Sequence, residues 1–297
     1  MGDSLEIRPL DLDGVREAVE WADREGWEPG LTDAEPFFAA DPDAFFEAVV
    51  DDTRVATISL VRNSPEVAFV GFYIVDPEYR GNGYGKRLWD EVLGRFEGST
   101  IGGDAVPAQI PNYESDGFHV AYANARYSGA SIGRTVRGHP VVGSTGAGPT
   151  DIAEVDLVEA SDFDFEQLAA FDAAHCFGPR PEFLKLWIEG PGREALVATD
   201  GSGQIVGFAA SRPSGAGHRI GPVFAGEASV AKALIVELAG RAGGRVSVDV
   251  PMPNRAAVDL VRSLGMTQGF ETARIYKGPD PLLPLDRIFG ITSFELG

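Results

Sequence analysis

The sequence predicts a mixed α/β (α+β) fold built twice in tandem, and three observations point there. Residues 67–96, VAFVGFYIVDPEYRGNGYGKRLWDEVLGRF, read as a buried strand, a glycine loop and an amphipathic helix. Strand and helix patterns flank that stretch on both sides. After a glycine-rich, aperiodic segment the same order of elements recurs over residues 155–278.

Leu5–Leu10 suits an opening strand, and Gly14–Arg24 a helix with Val15, Ala18, Val19 and Ala22 on one face. The following stretch, Glu25 to Asp33, is broken by Gly26, Pro29 and Gly30. Asp41–Val50 reads as a helix opened by Asp-Pro, and Val55–Val61 as a strand. Val67–Val75 is almost all apolar and closed by Asp76-Pro77, which predicts a strand buried on both faces. Beyond the loop Arg80-Gly81-Asn82-Gly83-Tyr84-Gly85, a helix carries Leu88, Trp89, Val92, Leu93 and Phe96 on one side. Ser99–Ile101 is the next strand, followed by Gly102-Gly103-Asp104, and Pro107–Phe118 holds a short helix stopped by Gly117. Ser131–Thr150 has the composition of a linker. In the second half, strands are expected at Val155–Ala160, Glu194–Thr199, Ile205–Arg212, Arg219–Ala225 and Arg245–Val250. Helices are expected at Phe163–His175, Phe183–Ile188 and Ala228–Leu238, and from a cap at Asn254 to Leu264. The closing stretches Ala125–Gly129 and Ala273–Gly278 rhyme with each other.

A chain of 297 residues with 44% hydrophobic residues buries ample core in about two domains. Its formal net charge of −20 opposes nucleic acid and anionic membrane surfaces as partners. Acid excess with scarce lysine resembles the proteins of salt-loving organisms, where screening relieves self-repulsion. The single cysteine, Cys176, excludes an intramolecular disulfide and reads as a structural thiol. No Cys/His cluster suggests a metal, and the four histidines are scattered. The opening MGDSLEIRPLDLDG lacks a signal-peptide pattern and no apolar run reaches membrane length, so a soluble, cytoplasmic protein is expected.

Against that acidic background, Arg80, Lys86 and Arg87 surround the glycine loop with positive charge. A glycine loop at a helix start turns backbone N–H groups and the positive end of the helix dipole toward a ligand, which makes an anion cradle. Arginine, two residues, glycine, one residue, glycine at the mouth of a helix resembles the pyrophosphate loop of the GNAT (Gcn5-related) N-acetyltransferases. The resemblance implies that Arg80, Gly81, Asn82, Gly83, Tyr84, Gly85 and Lys86 hold the diphosphate of acetyl-CoA. It implies that Tyr73, Ile74 and Val75 hold the pantetheine arm beside a fifth strand that splays from the fourth. It also implies two tandem GNAT-like acyl-CoA N-acyltransferase domains, each a mixed, mostly antiparallel sheet flanked by helices.

Tyr113-Glu-Ser-Asp-Gly-Phe118 resembles the family's tyrosine, three residues, glycine, phenylalanine ending, which makes Tyr113 the acid that protonates the departing thiolate. A phenol of pKa about 10 above a thiol of about 8.5 passes its proton downhill. Two departures stand out: Val106 replaces a frequent asparagine, and Ile101 has no glutamate. The general base is therefore open between Asp104, Glu66 and a water relay. Trp27, and Glu66 again, are expected at the acceptor site. In the second half, Val261 occupies the tyrosine position and Ala225-Gly-Glu-Ala-Ser229 the cradle, which implies a degenerate domain. The expected division is residues 1–135 catalytic, 136–149 linker and 150–297 degenerate. The expected reaction moves an acetyl group from acetyl-CoA to a primary amine, either a small molecule or a lysine or N-terminal amine, without a metal. The alternative is a non-catalytic acyl-CoA or small-ligand sensor.

Overall fold

The structure, a computed structural model, describes residues 5–130 and 155–297, with the backbone of 134–136 and 139–141. The first half runs β1 (Glu6–Pro9), α1 (Leu12–Arg24), α2 (Ala34–Ala40), β2 (Phe45–Val50), β3 (Thr53–Arg62), β4 (Val67–Val75), α3 (Tyr84–Leu93), β5 (Thr100–Ala105), α4 (Ile110–Ser115) and β6 (His119–Ala130). A short ribbon of β7 (Arg134–Val136) and β8 (His139–Val141) follows, inside the stretch whose composition predicts only a linker. The remainder of that linker lies outside the described residues. The second half repeats the order of the first: β9 (Asp156–Glu159), α5 (Phe165–Ala173), α6 (Pro181–Glu189), β10 (Glu194–Thr199), β11 (Ile205–Ser214), β12 (Gly217–Ala225), α7 (Ala228–Ala242), β13 (Arg245–Pro251), α8 (Arg255–Ser263) and β14 (Thr267–Lys277). A last strand, β15 (Ile288–Gly290), has no counterpart in that order.

The strands other than β7 and β8 join into one mostly antiparallel sheet of order β1-β2-β3-β4-β5-β14-β6-β13-β12-β11-β10-β9, with β15 on β12. The two halves exchange their closing strands. β14 of the second half lies between β5 and β6, and β6 of the first half lies between β14 and β13. Each half therefore completes its sheet with a strand of the other.

One expectation is overturned. Asp41–Val50 is not a helix: Phe45–Val50 is β2, buried along its whole length between β1 and β3. A short, continuously apolar run has no usable periodicity, and here two strand partners decide it. The helix lies just upstream, at α2, where Pro36 falls in the first turn and is tolerated there. Elsewhere the expected elements form within a few residues of their predicted bounds, including the Asn254 cap, whose Oδ1 accepts from Ala257 N at 3.0 Å.

The core falls into a cluster under each half and a third shared between them. In the shared cluster Phe37 of α2 stacks on Trp187 of α6 at 6.0 Å, and Phe45 and Phe72 pack nearby. Buried ion pairs cross the same boundary. Asp33, just before α2, accepts from Arg193 Nη2 at 2.7 Å and Arg212 Nε at 2.9 Å. Those two guanidinium groups also lie over the Trp187 ring, 4.3 and 4.4 Å from its centre.

Candidate active site

β4 is built to present its backbone. Thr57 pairs with Ile74 but Ser59 with Gly71, so Phe72 and Tyr73 together stand opposite Ile58 in a bulge. Phe72 takes a positive φ of 48° there, and its carbonyl accepts from Thr57 Oγ1 at 2.8 Å. On the other edge, the parallel pairing with β5 stops at Val70 and Gly103. Gly71–Val75 thus lines the expected splay with no strand partner on that side. A cavity of about 510 Å³ opens along it.

The glycine loop stands at the far end of this open edge. Arg80 Nε donates to Val75 O at 2.9 Å, tying the loop to the strand, and Asn82 Nδ2 donates to Tyr79 O at 3.1 Å. Gly81 and Gly83 have φ of +81° and +80°, a region that penalises any side chain, and nothing lies within 4 Å of where a Cβ would stand. Gly83 caps α3, so the first-turn N–H groups of that helix have no intrahelical acceptor. A Cβ on Gly85 would meet Val75 Cγ2 at 2.5 Å, so this glycine lets the helix close on the strand. An open glycine face, unmatched helix donors and an adjoining unpaired strand edge fit a ligand with an anionic end and an amide-bearing arm. Lys86 is engaged by Asp90 and, at 3.5 Å, by Asp116. Arg80 also pairs with Glu25 Oε1 at 2.6 Å across the cavity mouth.

Tyr113 lines the cavity from α4, its ring 5.3 Å from Trp89 and 6.0 Å from Phe118. Burial, reinforced by the nearby Tyr73, pushes its phenol well above the ordinary value, so it stays protonated. Tyr73 is pushed to about 12 by burial and by Asp116 and Asp90.

Asp104 is at the cavity but is fully engaged. Arg274 of β14 grips it with Nε at 3.1 Å and Nη2 at 2.8 Å, and Asn124 Nδ2 donates at 2.7 Å. The repeat duplicates this pair. Asp249 of β13 faces Arg126 of β6 in register, with Nε 2.8 Å from Oδ1, as Asp104 faces Arg274. The same carboxylate–guanidinium pairing thus joins the exchanged strands in both halves, with Asn124 as a further partner of Asp104 and Arg219 of Asp249. Glu66 is not brought to the site: it is exposed at the opposite end of β4, near Ser64. A β-strand rises about 3.3 Å per residue, which carries Glu66 far from Val75.

Trp27 reaches the cavity, and the second half holds its loop there. Trp27 O accepts from Arg126 Nη1 at 2.9 Å and Arg219 Nη1 at 3.1 Å. Leu31 N donates to Pro213 O at 2.9 Å, and Arg193 Nη2 to Thr32 O at 2.8 Å. The second half also supplies part of the wall: Phe270, Thr272 and Ile275 of β14, and Phe294 and Glu295 of the C-terminal segment. Sequence reading missed all five, because strand exchange and tail placement leave no local signal. Cys176 does not line this cavity, and burial, which outweighs Arg180, pushes its thiol up, away from nucleophilic use.

In the second half the corresponding gap is filled. β12 and β13 part after Ile220 and Val248, and β15 pairs with Val223 and Phe224 in the space between, with Ile291 N donating to Asp249 O at 2.9 Å. Glu227, an acid, stands at the N-cap of α7 where Gly83 caps α3.

A splayed strand pair, a glycine loop on a helix start and a buried phenol around one cavity define an enzyme that transfers acyl groups. Comparison with known proteins agrees. Residues 12–121 match the acetyltransferase (GNAT) family model and residues 168–290 an acetyltransferase (GNAT) domain model. The chain is 31% identical over 292 residues to holothin acyltransferase of Pseudoalteromonas sp. (strain SANK 73390), covering 98% of this chain and 94% of that protein. In fold it resembles a candidate acetyltransferase from Pyrococcus horikoshii, with a TM-score of 0.78 and 21% identity over 99% of this chain and 96% of the other. It also resembles a tandem GNAT protein from the clavulanic acid biosynthesis pathway, at 0.61 and 17% over 94% and 100%. The chain belongs to the GNAT acetyltransferase family.

Among the described residues no group of His, Cys, Asp or Glu is arranged to hold a metal, and no helix is long and apolar enough to cross a membrane.

Proposed function

We propose that the chain is an acyl-CoA-dependent N-acyltransferase that moves an acetyl group from acetyl-CoA to a primary amine by direct attack in a ternary complex. The observation that carries this reading is the unpaired Gly71–Val75 edge, running from the cavity to the glycine loop. Arg80 and the amides of Gly81, Asn82, Gly83, Tyr84 and Gly85 bind the diphosphate, with Lys86 at the rim. Tyr73, Ile74 and Val75 hold the pantetheine arm, and an N–H of the bulge stabilises the oxyanion. Tyr113 donates its proton to the departing sulfur. Trp27 contacts the acceptor, a small molecule in preference to a protein amine or nucleic acid, because the acceptor end is walled by Phe270 and Phe294.

The division into a catalytic part (1–135), a linker (136–149) and a degenerate part (150–297) goes with this reading. It is supported by β15 in the second gap and by Glu227 at the second helix start. The acidic composition supports a cytoplasmic, salt-adapted protein. The test is calorimetric titration of acetyl-CoA into the full-length chain at high and low salt. CoA release is then followed with holothin, the acceptor in the relative's name, and with simple alkyl and aryl amines. One site per chain and amine-dependent CoA release are expected. Two sites refute the degenerate second half, and no binding refutes the whole reading.

A further inference from the structure

One wall of the cavity is aromatic, made by Trp27, Phe270 and Phe294. Phe270 is put there by an irregularity in β14, where Gln268 faces Tyr127 but Glu271 faces Ala125, so that Gly269 and Phe270 together stand opposite Arg126. Its ring lies 5.6 Å from that of Phe294, inclined by 55°. An aromatic wall can hold an alkylammonium by cation–π attraction, but these two rings already carry guanidinium groups. Arg126 stands 5.5 Å from the centre of Phe270 and 5.1 Å from that of Phe294, and Arg219 stands 5.8 Å from the latter. Both arginines also donate to Trp27 O, so the same two cations hold the loop of the third ring. Among the described residues three acids line the cavity, and each faces arginine. Glu25 pairs with Arg80 at 2.6 Å and Asp104 with Arg274 at 2.8 Å. Glu295 keeps its carboxyl oxygens buried toward Arg219 and Arg212, while its backbone carbonyl lies against Gly71. Glu28, next to Trp27, is engaged by Arg126 at 3.5 Å.

A cationic acceptor would meet committed acids here and two guanidinium groups behind the rings, and an unpaired ammonium is costly to bury. We infer that the acceptor is a planar, weakly basic aromatic or heteroaromatic amine, which lies against Trp27, Phe270 and Phe294 and enters as the neutral free base. This rests on the N-acyltransferase reading and names its substrate class. An arylamine shares its nitrogen lone pair with the ring and is unprotonated at neutral pH, whereas an alkylamine of pKa about 10 is neutral in only about one molecule in a thousand. The flat face of such an amine suits an offset or edge-on stack against the wall. The nitrogen bonds to the thioester carbonyl carbon as the C–S bond breaks. The proton it sheds passes to water, and the thiolate takes its proton from Tyr113, which solvent restores. An amine that arrives neutral needs no carboxylate to deprotonate it beforehand.

The test follows CoA release by the full-length chain with aniline, benzylamine and cyclohexylamine from about pH 6 to 9, alongside acetyl-CoA titration. Aniline joins an aromatic ring to a weakly basic nitrogen, benzylamine keeps the ring on a basic nitrogen, and cyclohexylamine has only the basic nitrogen. At neutral pH kcat/KM is expected to be about tenfold or more higher for aniline than for either alkylamine, with benzylamine ahead of cyclohexylamine. The aniline profile should be flat, while those of the alkylamines climb about tenfold per pH unit along a limb that moves with each amine's own basicity. Phe270→Leu should raise KM for aniline about threefold to tenfold, more than for cyclohexylamine, with acetyl-CoA affinity unchanged. Thermal unfolding checks that variant, and the wild-type series decides the matter should it not fold. Cyclohexylamine used at neutral pH as well as aniline overturns the inference, and so does an equal rise in KM for both; either result leaves the enzymatic reading standing. A chain that binds acetyl-CoA but acetylates none of the three refutes the enzymatic reading itself, and the substrate class falls with it.

Discussion

Asp33 offers the sharpest test of how the second half shapes the Trp27 end of the cavity. Its side chain is fully buried and serves two guanidinium groups, while its Oδ2 also accepts from Gly30 N at 2.8 Å. Burial opposes its charge, but Arg212 and Arg193 prevail and hold its carboxyl below the usual aspartate range. Asp33→Asn keeps the shape and removes the charge, leaving two buried cations against one neutral amide. Breaking a buried pair from one side costs about 3–5 kcal/mol. At roughly 2–4 °C per kcal/mol the melting temperature should fall on the order of 10 °C. Because Gly30 and Trp27 share one short loop, KM for the acceptor should rise while acetyl-CoA affinity holds. The pH dependence follows from the sign of the shift. A carboxylate depressed in the folded state contributes stability above the unfolded value of about 3.9, and that contribution is lost as pH falls through the lower folded value. Urea unfolding of wild type and variant between neutral and acid pH, with acceptor kinetics, reads all of this. A variant as stable as wild type at neutral pH would refute the reasoning, and so would an equal loss of affinity for both substrates.

Three further outcomes are expected. Gly83→Glu, which puts a side chain at a φ of +80° and a carboxylate in the cradle, should abolish acetyl-CoA binding by calorimetry while far-ultraviolet circular dichroism is unchanged. Tyr113→Phe should lower kcat by about a hundredfold or more with acetyl-CoA affinity intact. The raised phenol remains a donor throughout neutral pH, so wild type should show no activity limb from it below about pH 10. Glu25→Gln removes the competitor for Arg80; an exposed pair contributes at most about 1 kcal/mol, so acetyl-CoA affinity should rise by up to about fivefold at low salt and converge with wild type at high salt.

The glycine-loop end of the cavity was legible because its signals are local. Eight apolar residues, a proline and three closely spaced glycines specify β4, its loop and α3 within one short stretch. The Asn254 cap and the two closing strands were legible for the same reason. Phe45–Val50 was not, since neighbours on both edges decide a run without periodicity. Asp104 invited a catalytic reading because its partner Arg274 is distant in sequence and reaches it only through β14. Glu295 gave no sign at all. An acid near the end of a chain reads as solvated until the fold places it against Gly71.

The exchanged strands bear on how this protein is made. The first half's fifth strand waits for β14, which is synthesised long after it. At ~5–20 residues per second that wait lasts on the order of ten seconds. Throughout it, a nascent chain that already carries its complete glycine loop and Tyr113 has an open sheet edge and lacks one cavity wall. The cavity is thus walled only once β14 has been made, and a ribosome that stalls between the two halves releases a glycine loop beside an unfinished cavity.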